Sequence, residues 1–167
     1  GWTGSHDTLP YLESLADVLR DLLARQGPSI ALWVMCDRRP SLPGVPYRYQ
    51  PWSLAAEPAF CRRFDIGLMP LFDDPWARAK CAYKALLAMA VGAPAVVSPV
   101  GANATVVRHG VDGFHATDAQ AWHDALERLI ADPALRARQG AAGRQRVLQD
   151  YSYEVFVERI TALLKEW

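Results

Sequence analysis

The sequence predicts an α/β protein with a doubly wound parallel sheet of about six strands, followed by C-terminal helices. Three observations predict this fold. Short, unbroken apolar runs alternate with segments whose apolar residues recur at helical spacing, as in proteins whose helices connect parallel strands. The last third of the chain contains three consecutive helical segments. The length of 167 residues fits one domain with one full core.

The first part of the chain supplies three strands and two helices. Residues 8–25 carry leucines at steps of three and four, which predicts an amphipathic helix that ends at Gly27 and Pro28. The run SIALWVMC at 29–36 is apolar throughout, as expected for a strand buried on both faces. The expected elements are a short first strand at 1–3 that looks cut at a domain boundary, a helix at 8–25, a strand at 29–36, a loop at 37–46, a strand at 47–50 and a helix at 53–61.

The second part repeats the alternation and then becomes helical. Gly92 stands where a helix usually ends, Pro133 suits a first helical turn, and Ser152 suits an N-cap. The expected elements are a strand at 64–71, a polar stretch at 73–80, a helix at 81–91, a strand at 94–99, a short helix at 103–108, a strand within 111–116, and helices at 118–131, 133–149 and 152–166.

Composition excludes several classes of partner. Lys plus Arg and Asp plus Glu both number 18, so no net charge favours nucleic acid or an acidic membrane surface. Three cysteines without metal-like spacing predict free thiols and a reducing, cytoplasmic environment, and no signal peptide opens the sequence. The four histidines are scattered, so the sequence predicts no metal and no cofactor.

Ligands of doubly wound sheets bind beyond the carboxyl ends of the strands. The loops at that edge are 3–7, 50–53, 71–80 and 98–105. In the first of them, Gly4 and Ser5 are small enough to let backbone N–H groups approach an anion at a helix start. Many such turns bind nothing, so this signal alone is weak.

Two lysines give the strongest local signal. Lys80 and Lys84 lie one turn apart near a helix start, where the helix dipole disfavours cations. A diphosphate would remove that conflict. The alternative is that Asp73 and Asp74 pair with the lysines as ordinary surface ion pairs.

Two further groups of residues have an ordinary structural interpretation. Gly101 and Asn103 follow a buried strand, where a tight turn and a helix cap explain both residues without a ligand. Trp2, Trp52 and Trp76 lie near the same edge, and packing in the core or in a lid is the default for each.

The segment 66–114 resembles the group 1 glycosyltransferases. The matching motifs are AMAVGAP at 88–94, SPVG at 98–101 and HGVDGF at 109–114. Residues 131–154 look like the closing helices of that family, and a subset of the family carries a loop similar to DDPW…KC…K at 73–84. The resemblance covers nearly the whole chain, and the combination is more specific than any single motif.

The resemblance implies the GT-B fold, in which two Rossmann-like domains face each other across a cleft. Residues 1–167 would form one Rossmann-like donor-binding domain, and helix 152–166 would pack back on a missing N-terminal domain that presents a glycan or another acceptor. The donor would be a nucleotide-diphosphate sugar. Its sugar would be transferred with retention of the anomeric configuration and without a metal. Membrane contact would concern the full-length protein alone. By position, Gly4, Ser5, Lys80 and Lys84 would contact the diphosphate, Gln50 and Trp52 would flank the base, and Gly101 and Asn103 would lie under the phosphates or the sugar.

One departure from the family leaves alternatives open. Many members carry a Glu-x7-Glu pair whose second carboxylate holds the ribose hydroxyls, and these positions are Ala79 and Leu87 here. This departure favours a degenerate, non-catalytic module that binds a nucleotide or docks a partner. A sugar-nucleotide 2-epimerase shares the fold, but the motifs in 66–114 argue against it. The base, the sugar and the acceptor are not determined by the sequence.

Overall fold

The computed structural model describes residues 1–165, which form six short strands and nine α-helices. The strands are β1 (Trp2–Gly4), β2 (Leu32–Cys36), β3 (Tyr47–Pro51), β4 (Gly67–Met69), β5 (Ala95–Val97) and β6 (Gly113–His115). The helices are α1 (Leu9–Glu13), α2 (Ala16–Gln26), α3 (Glu57–Cys61), α4 (Pro75–Arg78), α5 (Tyr83–Ala90), α6 (Asn103–Val106), α7 (Ala119–Ala131), α8 (Pro133–Asp150) and α9 (Tyr153–Lys165).

All strand pairs are parallel. One three-stranded sheet has the order β1-β2-β3, and the other has the order β4-β5-β6. The two sheets meet where the Gly1 amine donates to Ile66 O at 2.6 Å and Leu68 N donates to Gly1 O at 2.9 Å. The strands therefore follow the order β3-β2-β1-β4-β5-β6, and the predicted doubly wound arrangement is confirmed.

The prediction of a single helix over 8–25 is wrong. A short 3₁₀ turn (His6–Thr8) precedes α1, and the chain breaks at Ser14 and Leu15 before α2 begins. Ser14 Oγ donates to Tyr11 O at 2.7 Å and so competes with the helical backbone pattern. Leucines from both segments are still buried, which explains why the helical spacing continues across the break.

The hydrophobic core consists of two clusters. The larger one packs α2 and α7 against the sheet and includes Trp2, Leu19 and Leu129. The second one surrounds α5. Here α8 approaches closely, because a Cβ at Gly140 would lie 1.8 Å from Gly92 O. Glycine at position 140 is thus required for this packing.

The prediction of free thiols is confirmed: Cys36 and Cys61 are buried and Cys81 is exposed, without a disulfide. Within residues 1–165, no helix combines the length and apolarity needed to cross a bilayer.

Helix α9 presents apolar side chains to solvent. Phe156 is 60% exposed and Leu164 is 71% exposed, and no residue of this helix is buried. The predicted helix 152–166 corresponds to α9, although its last residue lies outside the described part of the chain.

Candidate functional site

A cavity of about 550 Å³ opens at the carboxyl ends of β1, β2 and β3. Its volume is in the range of small-molecule sites. The end of each strand contributes to it: Thr3 and Gly4 from β1, Asp37 after β2, and Trp52 after β3. The remaining lining residues are Ser5, Leu54, Glu57, Tyr83 and Lys84. The predicted loops 3–7 and 50–53 therefore meet at one site.

A second cavity, of about 460 Å³, lies at the opposite edge of the sheet. It is bordered by Ala31 and Leu32 at the start of β2 and by Asp65 and Ile66 before β4. Parallel sheets bind ligands beyond the carboxyl ends of their strands. For this reason, the candidate site is the cavity at the carboxyl edge.

Lys84 is brought directly to the first turn of the protein. It lies in the first turn of α5, and a Cβ at Gly4 would meet Lys84 Cε at 2.7 Å. Its Nζ is 5.5 Å from the centre of the Trp2 ring. The absence of a side chain at Gly4 thus makes room for the lysine stem over the end of β1.

Lys80 lies in the turn between α4 and α5 among aromatic rings. Its Nζ is 4.9 Å from the centre of the Trp76 ring and 5.8 Å from that of Tyr11. Trp76 is 69% exposed, so this packing does not remove Lys80 from solvent contact. The two predicted cations therefore flank the same edge of the sheet.

The alternative that Asp73 and Asp74 neutralise the lysines is wrong. Asp73 pairs with Arg78 at 2.6 Å, and Asp74 accepts from Ala77 N at 2.7 Å as the N-cap of α4. Over residues 1–165, no ion pair within 4.0 Å involves Lys80 or Lys84. Neither lysine therefore forms a direct ion pair among the described residues, although the charge of Glu57 raises the pKa of Lys84.

The electrostatics of Lys84 favour an anion. Burial, and then the charge of Lys80, lower the pKa of Lys84 from 10.5 to about 8. Removal of water from an ammonium group disfavours its charged form, and a second cation adds repulsion. The charge of a bound anion would counteract both effects and raise the pKa of Lys84.

The backbone between the two lysines is held in a defined shape. Ala82 has φ 59°, in the left-handed region, and its methyl group is fully buried in the second core cluster. In the described part of the chain, no other residue except glycine has a positive φ. Lys80 N donates to Ala77 O at 3.1 Å, and Leu86 N donates to Ala82 O at 3.0 Å, which fixes both sides of the turn.

Gly101 and Asn103 do not line the cavity. Gly101 has φ 54°, and a Cβ there would lie 2.5 Å from Arg78 O. Asn103 is buried, and its Nδ2 donates to Ser98 O at 2.9 Å. The N-cap of α6 is Ala102, so the interpretation of Asn103 as a helix cap is wrong. Gly101 thus lets the loop after β5 approach α4, and Asn103 holds the same loop through Ser98.

The two residues predicted near a base are separated by the structure. Trp52 lines the cavity, and its Nε1 donates to Glu57 Oε1 at 3.1 Å. Gln50 lies within β3 opposite Met35 of β2 and is half-buried. Of the pair, Trp52 is the residue placed to meet a ligand in the cavity.

Glu57 is a cavity residue that the sequence did not single out. It is 5% exposed, and its Oε1 accepts from Thr3 Oγ1 at 2.7 Å and from Trp52 Nε1 at 3.1 Å. From sequence, a glutamate in a first helical turn is an ordinary surface residue that favours the helix dipole. Its burial depends on Thr3, which is 54 residues away, and no local pattern indicates that contact.

Comparison with known proteins decides the family. Residues 12–132 match the family described as Glycosyl transferases group 1. The chain belongs to this family. It is similar to a D-inositol 3-phosphate glycosyltransferase from Pseudarthrobacter chlorophenolicus, with 38% identity over 89 residues, which are 50% of this chain and 19% of that protein.

Solved structures place this group 1 chain in one half of the GT-B fold. HepE from Anabaena, solved in complex with UDP, has a TM-score of 0.74 and 18% identity, and the match covers 99% of this chain and 49% of that one. The C-terminal domain of the group 1 glycosyl transferase LpcC from Francisella tularensis has a TM-score of 0.69 and 17% identity. The match covers 91% of this chain and 85% of that one. The chain thus spans about half of HepE and most of the LpcC domain.

At two positions the site departs from the pattern that the resemblance implies. The positions of the family's carboxylate pair hold Ala79, which is exposed, and Leu87, which is half-buried. Across residues 1–165, no group of three or more His, Cys, Asp or Glu side chains could hold a metal ion. Lys84 lines the cavity, and Lys80 lies in the turn before its helix.

Proposed function

We propose that this chain is the C-terminal, donor-binding half of a glycosyltransferase that uses a nucleotide-diphosphate sugar. The diphosphate is bound between Lys80, Lys84 and the turn formed by Gly4 and Ser5. The observation that carries the proposal is the pair of lysines at the carboxyl edge of the sheet, neither of which forms a direct ion pair with Asp73 or Asp74. Unpaired cations beside a cavity are expected where a ligand supplies the negative charge.

The same residues suit glycosyl transfer chemically. In that reaction the bond between the anomeric carbon and a phosphate oxygen breaks, and the nucleoside diphosphate leaves with increased negative charge. Fixed cations that contact this charge lower the barrier, because they are already oriented when it develops. Lys84 is oriented by Trp2 and Gly4, and Lys80 by Tyr11 and Trp76.

Related proteins support the donor class. HepE was solved with UDP, with UDP and glucose, and with UDP-glucose. These ligands belong to HepE, and they make UDP the first nucleotide to test here. Comparison of UDP, GDP and ADP binding identifies the base that this chain prefers.

We also propose that α9 contacts an acceptor-binding domain. Its exposed apolar residues are Tyr153, Phe156, Val157, Ile160, Leu163 and Leu164. Apolar side chains in this number on one helix indicate a contact surface. An N-terminal domain that presents the acceptor would cover them, as in the two-domain arrangement of the GT-B fold.

A non-catalytic nucleotide-binding or docking module is the second candidate. Ala79 and Leu87 favour it, since neither side chain can accept the hydrogen bonds that the family's carboxylates accept. Both candidates predict nucleotide binding, and turnover distinguishes them. A transfer assay therefore requires this chain joined to an acceptor domain, and the isolated chain is expected to give no turnover. Robust transfer by the isolated chain would contradict its assignment as half of an enzyme.

The binding experiment compares diphosphates with nucleosides. Lys80→Ala and Lys84→Ala are each expected to weaken binding of UDP, GDP or ADP by about tenfold or more, because each removes a charge-assisted contact. Binding of the matching nucleoside changes much less. Lys165→Ala is the control, since Lys165 is exposed on α9. Titration calorimetry that gives equal diphosphate affinity for wild type and both lysine variants would refute the proposal.

A further inference from the structure

A buried carboxylate in the cavity is not explained by diphosphate binding. Glu57 is 5% exposed, on a wall of the cavity that holds Lys84. Burial of a carboxylate is unfavourable unless hydrogen bonds or a nearby cation compensate for lost water. Two neutral donors, Thr3 and Trp52, satisfy part of this requirement.

The hydrogen bonds of Glu57 leave acceptor capacity on one oxygen. Thr3 Oγ1 and Trp52 Nε1 both donate to Oε1, at 2.7 and 3.1 Å. A carboxylate offers about four lone-pair positions over its two oxygens. Oε2 can therefore accept further donors at the cavity wall.

The packing of α3 against α5 brings Glu57 to the cavity wall. Tyr83 and Leu87 are one turn apart on α5, so they share a face of that helix. Tyr83 lines the cavity with Glu57, and α3 packs against α5. Burial, and then the charge of Glu57 and a hydrogen bond with it, raise the pKa of the Tyr83 hydroxyl, so Tyr83 is a further neutral donor beside this carboxylate. Glu57 thus supplies a carboxylate from α3 beside the helix where Leu87 supplies none.

We propose that Glu57 accepts hydrogen bonds from the 2′ and 3′ hydroxyls of the bound nucleotide's ribose. This inference rests on the proposed function, which puts the diphosphate at Lys84. The ribose is joined to the first phosphate through C5′, so it is the next part of the ligand to enter the same cavity. A vicinal diol offers two O–H donors, and a carboxylate acts solely as an acceptor. The two groups are complementary.

The experiment measures discrimination between hydroxyl patterns. Wild type, Glu57→Gln and the control Glu158→Gln are titrated with UDP, with its 2′,3′-dideoxy analogue, with GDP and with inorganic pyrophosphate. Glutamine keeps an oxygen for Thr3 and Trp52 but replaces the second acceptor with an amide donor. Glu158 is exposed on α9, so its variant removes the same charge outside the cavity.

Wild type is expected to bind UDP at least about tenfold more tightly than the dideoxy analogue. In Glu57→Gln this ratio falls to about threefold or less, and pyrophosphate affinity is unchanged. The Glu158→Gln variant keeps the wild-type ratio. Glu57→Asp, which keeps the charge and draws it back by one methylene, gives an intermediate ratio and serves where the glutamine variant fails to fold.

Four outcomes overturn the inference. A wild-type protein without preference for the ribonucleotide excludes it, as does an unchanged ratio in Glu57→Gln. If Glu57→Gln lost affinity for GDP alone, Glu57 would be assigned to the base instead of the ribose. In these three cases the proposed function stands if UDP or GDP still binds. Binding of none of the nucleotides or pyrophosphate to wild type would refute the proposed function and this inference together.

Discussion

Replacement of Lys84 by methionine is expected to stabilise the fold while it weakens ligand binding. Lys84 carries its charge in a half-buried position, and burial with the charge of Lys80 lowers its pKa from 10.5 to about 8. Methionine keeps a long, unbranched stem for the contacts with Trp2 and Gly4 but carries no charge. The change therefore separates the energetic cost of the cation from its packing.

The magnitude follows from the pKa. One pKa unit corresponds to about 1.4 kcal/mol, so a fall from 10.5 to about 8 corresponds to ~3 kcal/mol of destabilisation while the lysine is charged. Loss of the cation–π contact with Trp2 offsets part of the gain, by ~0.5–2 kcal/mol. Near pH 7, Lys84→Met should raise the free energy of unfolding by ~1–2 kcal/mol, where most substitutions lower it.

The pH dependence of the free energy of unfolding tests whether Lys84 destabilises the fold. Between about 8 and 10.5 the unfolded chain binds more protons at this lysine than the folded one, so the stability of wild type rises with pH across that window. The variant lacks this rise, and the difference between the proteins shrinks toward about pH 10. Urea unfolding near pH 7 and about pH 10 measures both values, with the exposed Lys165→Met as control. A variant that is less stable than wild type by the same margin at both pH values would refute the reasoning.

Three further outcomes are expected. Affinity for UDP should fall as the pH rises above about 8, because Lys84 must be protonated to bind phosphate. The heat of binding should then vary with the ionisation enthalpy of the buffer, because binding takes up protons. An affinity that stays constant across this pH range would contradict the prediction. Gly140→Ala should lower the melting temperature, because its Cβ would lie 1.8 Å from Gly92 O, and a melt equal to wild type would mean that α8 can move away. Gly101→Ala should destabilise by ~1–3 kcal/mol in urea unfolding, since φ is 54° and Arg78 O blocks a Cβ at 2.5 Å; unchanged stability would show that the loop adapts.

The sequence predicted the elements better than their ends. The run at 64–71 yielded β4 at Gly67–Met69, because the apolar chain stays buried beyond the last ladder bond, as at Leu71. Periodicity reports burial, whereas strand bounds depend on hydrogen bonds to a partner strand. The break at Ser14 was missed for a related reason: the serine hydroxyl changes the backbone without changing the leucine spacing.

Local rules single out part of the candidate site. Lys80 and Lys84 were identified because a cation at a helix start conflicts with the dipole of that helix. The role of Asp74 as a cap was equally local, yet its proximity to the lysines suggested pairing instead. Glu57 could not be identified, because its environment is assembled from β1, the end of β3 and α5, which are distant in sequence.

The left-handed conformation of Ala82 moves an entropic cost from binding to folding. Alanine in this region is less stable than in a right-handed turn by roughly 1–2 kcal/mol, a penalty that glycine would avoid. Glycine would, however, leave the segment between Lys80 and Lys84 free to sample other shapes before a ligand arrives. With the alanine methyl fixed in the core, that segment is preorganised, and a diphosphate bound as proposed would gain the attraction of both cations without first ordering a loop. The loss of folding stability at Ala82 would thus lower the conformational cost of ligand binding.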